Sequence, residues 1–170
     1  MNVRCFASLV SLGLLMALPV SAAAQGAGDT MVGRNVADQK FAPVPGLPTC
    51  GNGAVQSGDP SQGASIILAK IAAGCVVPWH WHTPTERLML VSGTAKVEMK
   101  DGAPFTMHAG GFAALPSKHV HQFTCQQACL MYISSDTAFD LHYVNAQGGE
   151  ISPADALTAV KETAAVPPSK

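Results

Sequence analysis

Short apolar runs separated by turn-forming residues dominate the middle of the chain. Three such runs cover residues 64–72, 76–82 and 86–93, and they are separated by Gly74 and by Thr-Pro-Thr at 83–85. Runs of about four to eight residues, with turns about every eight to twelve, are typical of strands in an all-β sandwich or small barrel. The pattern therefore predicts an all-β domain.

The same pattern continues until Val144, with a turn signal at Lys100-Asp101-Gly102. A helical pattern appears only near the C-terminus. Ser152 is a good N-cap residue, Pro153 suits the first helical position, and Asp155 would lie in the first turn. We therefore expect one C-terminal α-helix, packed on the outside of the β-domain.

The flanks of the chain differ in composition from this β-rich centre. Residues 25–48 are rich in Gly, Pro and small polar residues without any periodicity, which predicts a flexible N-terminal arm. We assign the β-barrel to residues 49–146, and the C-terminal helix and tail to residues 147–170. A chain of 170 residues has room for one such domain.

The N-terminus has the organisation of a secretory signal. Arg4 precedes an apolar run from Cys5 to Val20, and small residues follow up to Ala24. This predicts a signal peptide over residues 1–24 with cleavage after Ala24, and hence a periplasmic or secreted protein without a membrane partner. A membrane anchor is the alternative, but the run is shorter than the about 20 residues that a span needs.

Charge restricts the partners further. The full chain has 10 Lys and Arg residues against 11 Asp and Glu residues, a net charge of −1. Removing the signal with Arg4 leaves 10 − 1 = 9 basic side chains, and the balance becomes 9 − 11 = −2. The sequence contains no basic cluster, which argues against nucleic acid or an anionic membrane surface as partner.

Four cysteines remain after the signal, namely Cys50, Cys75, Cys125 and Cys129. In an oxidising compartment an even number suggests disulfides, but four cysteines allow three pairings. The segment CQQAC at 125–129 looks like two strand ends that face each other across a three-residue turn. We therefore predict a Cys125–Cys129 disulfide, with free buried thiols as the alternative.

The segment WHWHTPTE at 79–86 carries the candidate chemistry. Side chains alternate along a strand, so His80 and His82 would share one face, about 7 Å apart, while the neighbouring tryptophans point the other way. After the short turn, Glu86 can return beside the two histidines, and these three groups could hold a divalent metal. The alternative is a pair of surface histidines on an edge strand.

Two motifs in this region resemble those of the cupin superfamily. Residues 74–93 match the first cupin motif, G-x5-H-x-H-x3-E-x6-G, at every fixed position. The second motif, G-x5-P-x-G-x2-H-x3-N, is matched at Gly110, Pro116 and His121. The sequence departs from it at Lys118, where the family has Gly, and at Cys125, where the family often has Asn.

The resemblance implies an all-β cupin barrel, an antiparallel jelly roll, that holds one divalent transition metal. The ligands carried over by the motifs are His80, His82, Glu86 and His121, and the metal could be Fe, Mn, Ni, Cu or Zn. Strand alternation independently places His121 on one face with Phe123 and Cys125.

The other histidines fall outside the motif positions. His119 is the rival of His121, because it lies two residues earlier on the same predicted face. His108 is interpreted as a surface residue. His142 shares a face with Asp140 and is either a pocket residue or a surface residue.

Trp79 and Trp81 would point away from the metal, and aromatic side chains on an outer sheet face need cover. A second copy of the chain could provide that cover, and we therefore predict a homodimer. The C-terminal helix and the N-terminal arm are the alternatives.

The predicted inner face is apolar, which suits a small organic ligand. It would be lined by Leu88, Leu90, Ala113, Leu115 and Phe123. Three histidines and one glutamate around a redox metal could support a dioxygenase-like oxidation of such a substrate. The alternative is a non-catalytic module that binds a metal or small ligand for sensing or storage, because the cupin fold hosts many functions.

Overall fold

The computed structural model describes residues 31–158, of which residues 35–158 belong to one compact unit. The predicted signal peptide, its cleavage site and the tail from residue 159 onward lie outside the described residues. Among the residues described, no helix is long and apolar enough to cross a membrane.

Antiparallel strands make up most of the described chain, which confirms the predicted all-β jelly roll. A 3-10 helix at Val36–Asp38 precedes the first strand. The strands are β1 (Ala42–Pro43), β2 (Gly51–Gly58), β3 (Ser65–Ile71), β4 (Val76–Trp81), β5 (Glu86–Met99), β6 (Phe105–His108), β7 (Phe112–Leu115), β8 (His121–Ser135), β9 (His142–Val144) and β10 (Glu150–Ile151).

Strand β8 organises the sheet because it pairs on both sides. Along its whole length it pairs with β5, from Glu86 opposite Ser135 to Met99 opposite His121. On its other side, the C-terminal half pairs with β3 and the N-terminal half pairs with β4. This second pairing places His80 of β4 directly opposite His121 of β8.

The remaining strands extend the sheet outward from these four. Strands β2 and β1 continue it beyond β3, and β9 and β10 continue it beyond β4. Strands β6 and β7 both pair with β5. The core lies between the layers and is formed by alternate residues of the long strands, including Leu88, Val97, Phe123 and Met131.

One expectation about β5 needs correction. The sequence pattern ends a run at Gly93, but the strand continues through this glycine to Met99, with shifts in register around it. Gly93 has a φ of 95°, and a Cβ atom here would lie 2.2 Å from the carbonyl oxygen of Ala128. The glycine therefore allows β8 to approach closely and does not end the strand.

The expectation of two strand ends at the CQQAC segment is also wrong, although its disulfide is present. Strand β8 runs through this segment, and its residues 126–128 are an exposed bulge. The Cα atoms of Cys125 and Cys129 are 6.0 Å apart, whereas four steps of extended strand would cover about 13 Å. A second disulfide joins Cys50 and Cys75, a pairing that the sequence pattern could not select.

The C-terminal helix α1 begins as predicted, and residues 153–158 of it are described. The backbone N–H of Asp155 donates to Oγ of Ser152 at 3.2 Å, and that hydroxyl donates to the Asp155 carboxylate at 2.7 Å. These reciprocal hydrogen bonds are those of an N-cap.

The chain before β2 contributes to the barrel. Residues 42–43 pair with β2, and the Tyr143 hydroxyl donates to the carbonyl oxygen of Gly46 at 2.8 Å. The end of the segment interpreted as an arm therefore lies against β2 and β9.

Candidate metal centre

Strand alternation places two histidines in the interior. His80, on β4, and His82, which follows it, are each only 3% exposed, whereas Trp79 and Trp81 are half-buried. His121 opens β8 and is 1% exposed. The predicted inward direction of these three histidines is confirmed.

Each of the three imidazoles points its Nδ1 atom at a backbone carbonyl oxygen. Nδ1 of His80 lies 2.6 Å from the Pro78 oxygen, and Nδ1 of His121 lies 2.9 Å from the His119 oxygen. Nδ1 of His82 bonds to the carbonyl oxygen of Asp140. Since a carbonyl oxygen only accepts, Nδ1 carries the proton in all three rings and Nε2 has a free lone pair.

The three rings meet in one place. Their potential ligand atoms all lie within 4.8 Å of one another, and the ring centroids of His80 and His121 are 4.2 Å apart. The Nε2 atoms of His82 and His121 are buried without a hydrogen-bond partner. Buried polar atoms nearly always have a partner, so two lone pairs directed at one point fit a bound metal ion.

Glu86, the first residue of β5, borders this cluster. Its Oε2 atom lies 3.6 Å from Nε2 of His82 and 3.5 Å from Nε2 of His121. The side chain is 7% exposed. The turn at 83–85 thus brings the carboxylate back beside the histidines, as the sequence predicts, although the close cluster of ligand atoms consists of the three histidines.

The surroundings of the histidines and of Glu86 favour the protonation states in which these side chains can bind a metal. Burial lowers the pKa of His80 well below its ordinary value, and it lowers that of His82, so that both rings are neutral near pH 7. Burial alone would raise the pKa of Glu86, but the nearby imidazoles of His82 and His121 outweigh it and lower that pKa. Neutral imidazoles and an ionised carboxylate are the forms that bind metal.

The turn before β8 separates His121 from its rival. Residues 116–119 form a turn in which the N–H of His119 donates to the Pro116 oxygen, and His119 is exposed. The expectation that His119 shares the face of His121 is wrong, because β8 begins only at His121. Lys118 has a φ of 60°, so it adopts the left-handed conformation for which the cupin motif has glycine.

Two residues that contact His82 were missed by the sequence reasoning. Asp140 binds the ring through its carbonyl oxygen, and its Oδ1 atom accepts a hydrogen bond from the N–H of Thr83 at 2.6 Å. The ring of Phe139 lies 4.5 Å from that of His82. These residues lie in a loop more than fifty positions away, and no spacing in the sequence signals the contact.

An apolar cavity opens beside the histidine cluster. Its volume is about 60 Å³, which is room for a few waters or one small organic group. Leu88 and Phe123 line it as predicted. Leu90, Ala113 and Leu115 do not, because they pack in the core or against it. Residues before β2 and in the loop before β9, including Val44, Leu47, Phe139 and Leu141, supply the remaining wall.

The two other histidines lie outside the cluster. His108 is exposed, in agreement with the surface interpretation. His142 stacks on Trp81 with ring centroids 3.8 Å apart and an angle of 3°, and its Nε2 atom lies 3.3 Å from the Asp140 carboxylate. Strand β9 therefore covers part of Trp81, whereas we expected from the sequence that a second copy of the chain, the C-terminal helix or the N-terminal arm would cover it.

Comparison with known proteins agrees with this fold. The model of the cupin domain family, described as "Cupin domain", matches residues 67–133. No curated protein matches the sequence. An acetylacetone dioxygenase from Acinetobacter johnsonii has a similar structure, with a TM-score of 0.56 at 17% identity over 82% of this chain and 95% of that one.

A second similar structure is the polyketide cyclase RemF from Streptomyces resistomycificus. Its TM-score is 0.59 at 15% identity, over 68% of this chain and 87% of that one. At such identities the likeness concerns the fold. Together with the family match and the two motifs, it shows that residues 67–133 of this chain form a cupin domain.

Proposed function

We propose that the protein is an exported, metal-dependent cupin enzyme that oxidises a small organic substrate with O2, in the manner of a dioxygenase. Its metal ligands would be His80, His82, Glu86 and His121. The observation that carries the proposal is the pair of buried, unpartnered Nε2 atoms beside the Glu86 carboxylate at an apolar cavity. One divalent transition metal, namely Fe, Mn, Ni, Cu or Zn, fits three imidazoles and one carboxylate.

A redox-active metal held there would supply a Lewis acid and an electron conduit between the substrate and O2. The chain itself performs three tasks. The backbone carbonyl oxygens of Pro78, His119 and Asp140 fix the imidazole tautomers. Glu86 contributes one negative charge. The apolar walls keep water away from the reacting groups and accept an apolar substrate.

The structural neighbours suggest where a substrate search should start. One of them is an acetylacetone dioxygenase, and its fold is shared with this chain. Acetylacetone is a small, uncharged molecule with two oxygens placed for chelation, and it is compatible with the cavity. We would therefore test it first.

The primary experiment is metal analysis by mass spectrometry on the purified mature protein, with His121→Ala and His119→Ala as a matched pair. We expect about one equivalent of metal per chain in the wild type and in His119→Ala, and loss of the metal in His121→Ala. Metal retained by His121→Ala, or an empty wild type, would overturn the ligand assignment.

Oxygen consumption then separates the enzyme from a binding module. The Fe-loaded protein should consume O2 when acetylacetone or another neutral chelating compound is added, and His82→Ala should not. A stoichiometric metal without O2 consumption with any such compound would favour the sensing or storage role.

Export is part of the proposal and is supported by the two disulfides, since these persist in oxidising compartments. N-terminal sequencing of the periplasmic or secreted protein should begin at Gln25. The predicted homodimer is tested by light scattering, where the mass of a single chain would contradict it.

A further inference from the structure

The charged groups around the cavity restrict the ligands that it can accept. Lining residues other than the proposed ligands are apolar or are glycines, with the exception of Asn52. Within the described chain, neither Lys nor Arg lines this cavity. An anionic group on a ligand would thus lose its hydration on entering the cavity and would find no protein cation there. Such desolvation of an unpaired charge is costly in an apolar environment.

An acidic residue beside the cavity, outside its lining, makes this restriction stronger. Asp140 lies between two lining residues, Phe139 and Leu141. Its carboxylate accepts a hydrogen bond from the N–H of Thr83 and lies 3.3 Å from Nε2 of His142. The loop on this side of the cavity, residues 136–141, therefore presents acidic side chains and neither Lys nor Arg to an approaching anion.

The charge balance of the site, which rests on the proposed function, allows one anionic donor. A divalent ion with three neutral imidazoles and the Glu86 carboxylate leaves a net charge of +1. A ligand that binds through one deprotonated oxygen cancels this charge, and the buried site becomes neutral. Any additional charge on the ligand would have no counterpart.

From these observations we infer that the cavity selects uncharged chelating molecules that lose one proton on binding. The class comprises enols and 1,2-diphenols with an adjacent second oxygen and an apolar remainder. Molecules with an additional carboxylate, sulfonate or phosphate are excluded. Polyhydroxylated sugars are excluded as well, since Asn52 is the one polar lining residue besides the proposed ligands that could bind their hydroxyls.

A matched pair of probes tests the inference. Catechol and 2,3-dihydroxybenzoate carry the same 1,2-diol, and only the second has a carboxylate. Titration calorimetry of each into Zn-loaded protein, without O2, measures binding in the absence of oxidation. We expect catechol to bind with release of about one proton, and 2,3-dihydroxybenzoate to bind about tenfold more weakly or worse.

A charge substitution at the wall provides the converse test. Asn52 is half-buried, so a lysine at this position can extend its ammonium group toward water. Asn52→Lys should reduce the discrimination against 2,3-dihydroxybenzoate severalfold, while Asn52→Gln should preserve it. Since neither variant changes a proposed ligand, both should retain the metal.

The outcomes are distinguishable from a failure of the proposed function. A protein that holds no Zn²⁺, or whose Zn²⁺ survives His121→Ala, refutes the metal centre together with this inference. A stoichiometric Zn²⁺ site refutes the inference alone if the two diols bind equally, if the carboxylate form binds more tightly, or if neither binds.

Discussion

The carbonyl oxygen of Asp140 accepts a hydrogen bond from Nδ1 of His82, a residue 58 positions earlier in the chain. The side chain of Asp140 accepts a second hydrogen bond from the N–H of Thr83, and it lies 3.3 Å from His142. One residue therefore holds His82 and its neighbour at two points. Such contacts orient a metal-binding imidazole and fix its tautomer.

Removing the side chain of Asp140 should therefore weaken metal binding. The Asp140→Ala protein loses the bond to Thr83, and the loop that presents the carbonyl oxygen to His82 is less restrained. We expect the Kd for Zn²⁺, measured by competition with a chromogenic chelator, to rise about tenfold or more. Asp140→Asn keeps an oxygen acceptor for Thr83 and should have a smaller effect.

Asp136 provides the matched control, because it is exposed, lies in the same loop region and faces Arg87 at 3.7 Å. Asp136→Ala should leave the Kd for Zn²⁺ unchanged. If both alanine variants weaken binding equally, the effect comes from the loop as a whole and the assignment to Asp140 fails.

Lys118 is the site of a second prediction. Its φ of 60° places a side-chain-bearing residue in the left-handed region, and its N–H donates to the His82 carbonyl oxygen at 2.8 Å. Lys118→Gly removes the steric cost of this conformation and keeps the hydrogen bond. It should raise the free energy of unfolding by about 1 kcal/mol in urea titrations.

Lys118→Ala separates conformation from charge in this experiment. Alanine also carries a Cβ atom, so this variant should be no more stable than the wild type. Equal stabilisation by alanine and glycine would show that loss of the lysine charge is the cause, and would refute the conformational explanation.

The surroundings of His82 and Lys118 illustrate which parts of the site the sequence could predict. The motif spacing predicted that His80, His82, Glu86 and His121 lie together, and the structure brings them together, because such positions depend on short-range alternation and on a short turn. The departure at Lys118 did not move His121, because lysine adopts the glycine conformation. Local rules therefore sufficed for the fold class and for the histidines that the structure brings together.

The missing parts of the site depend on contacts between distant segments. Val44, Leu47 and Leu141 line the cavity because strands β1 and β9 pair onto the barrel. Apolar residues also occur in many surface loops, so their apolar character alone did not mark them as lining residues. The pairing of Cys50 with Cys75 likewise depends on the pairing of β2 with β3, which places Gly51 opposite Ile71, close to the turn that leads to Cys75. Leu90 and Leu115 share the predicted alternation with true lining residues but pack in the core.

The metal-free protein should lose stability on mild acidification. Burial lowers the folded-state pKa of His80 and His82 below the ordinary 6.5. As the pH falls through 6.5, the unfolded chain takes up protons and the folded protein does not, so the free energy of unfolding decreases. The loss is at most about 1.4 kcal/mol per histidine for each pH unit, until the folded-state pKa is reached.

Urea titrations in EDTA at pH 7.5 and pH 5.5 measure this difference. His80→Gln should reduce it, whereas His108→Gln should not, since His108 is exposed. Greater stability at pH 5.5 than at pH 7.5 would contradict the prediction. Glu86 acts in the same direction at lower pH, because its lowered folded-state pKa stabilises the fold above about 4.5 and this contribution is lost below it.

The two disulfides should contribute unequally to stability. Cys50–Cys75 closes a loop with a sequence separation of 25, whereas the separation for Cys125–Cys129 is 4. In the chain-entropy model a longer loop restricts the unfolded chain more strongly. The expected contributions are about 3.5 kcal/mol for the first disulfide and about 2 kcal/mol for the second.

Two double-alanine variants, each retaining one disulfide, allow the comparison. Unfolding in urea with EDTA, before and after reduction with dithiothreitol, isolates the remaining cross-link because the side chains stay the same. The variant that retains Cys50–Cys75 should lose more stability on reduction than the variant that retains Cys125–Cys129. The reverse order would show that the short disulfide stabilises the bulge of β8 directly, since its effect on the unfolded chain is the smaller one.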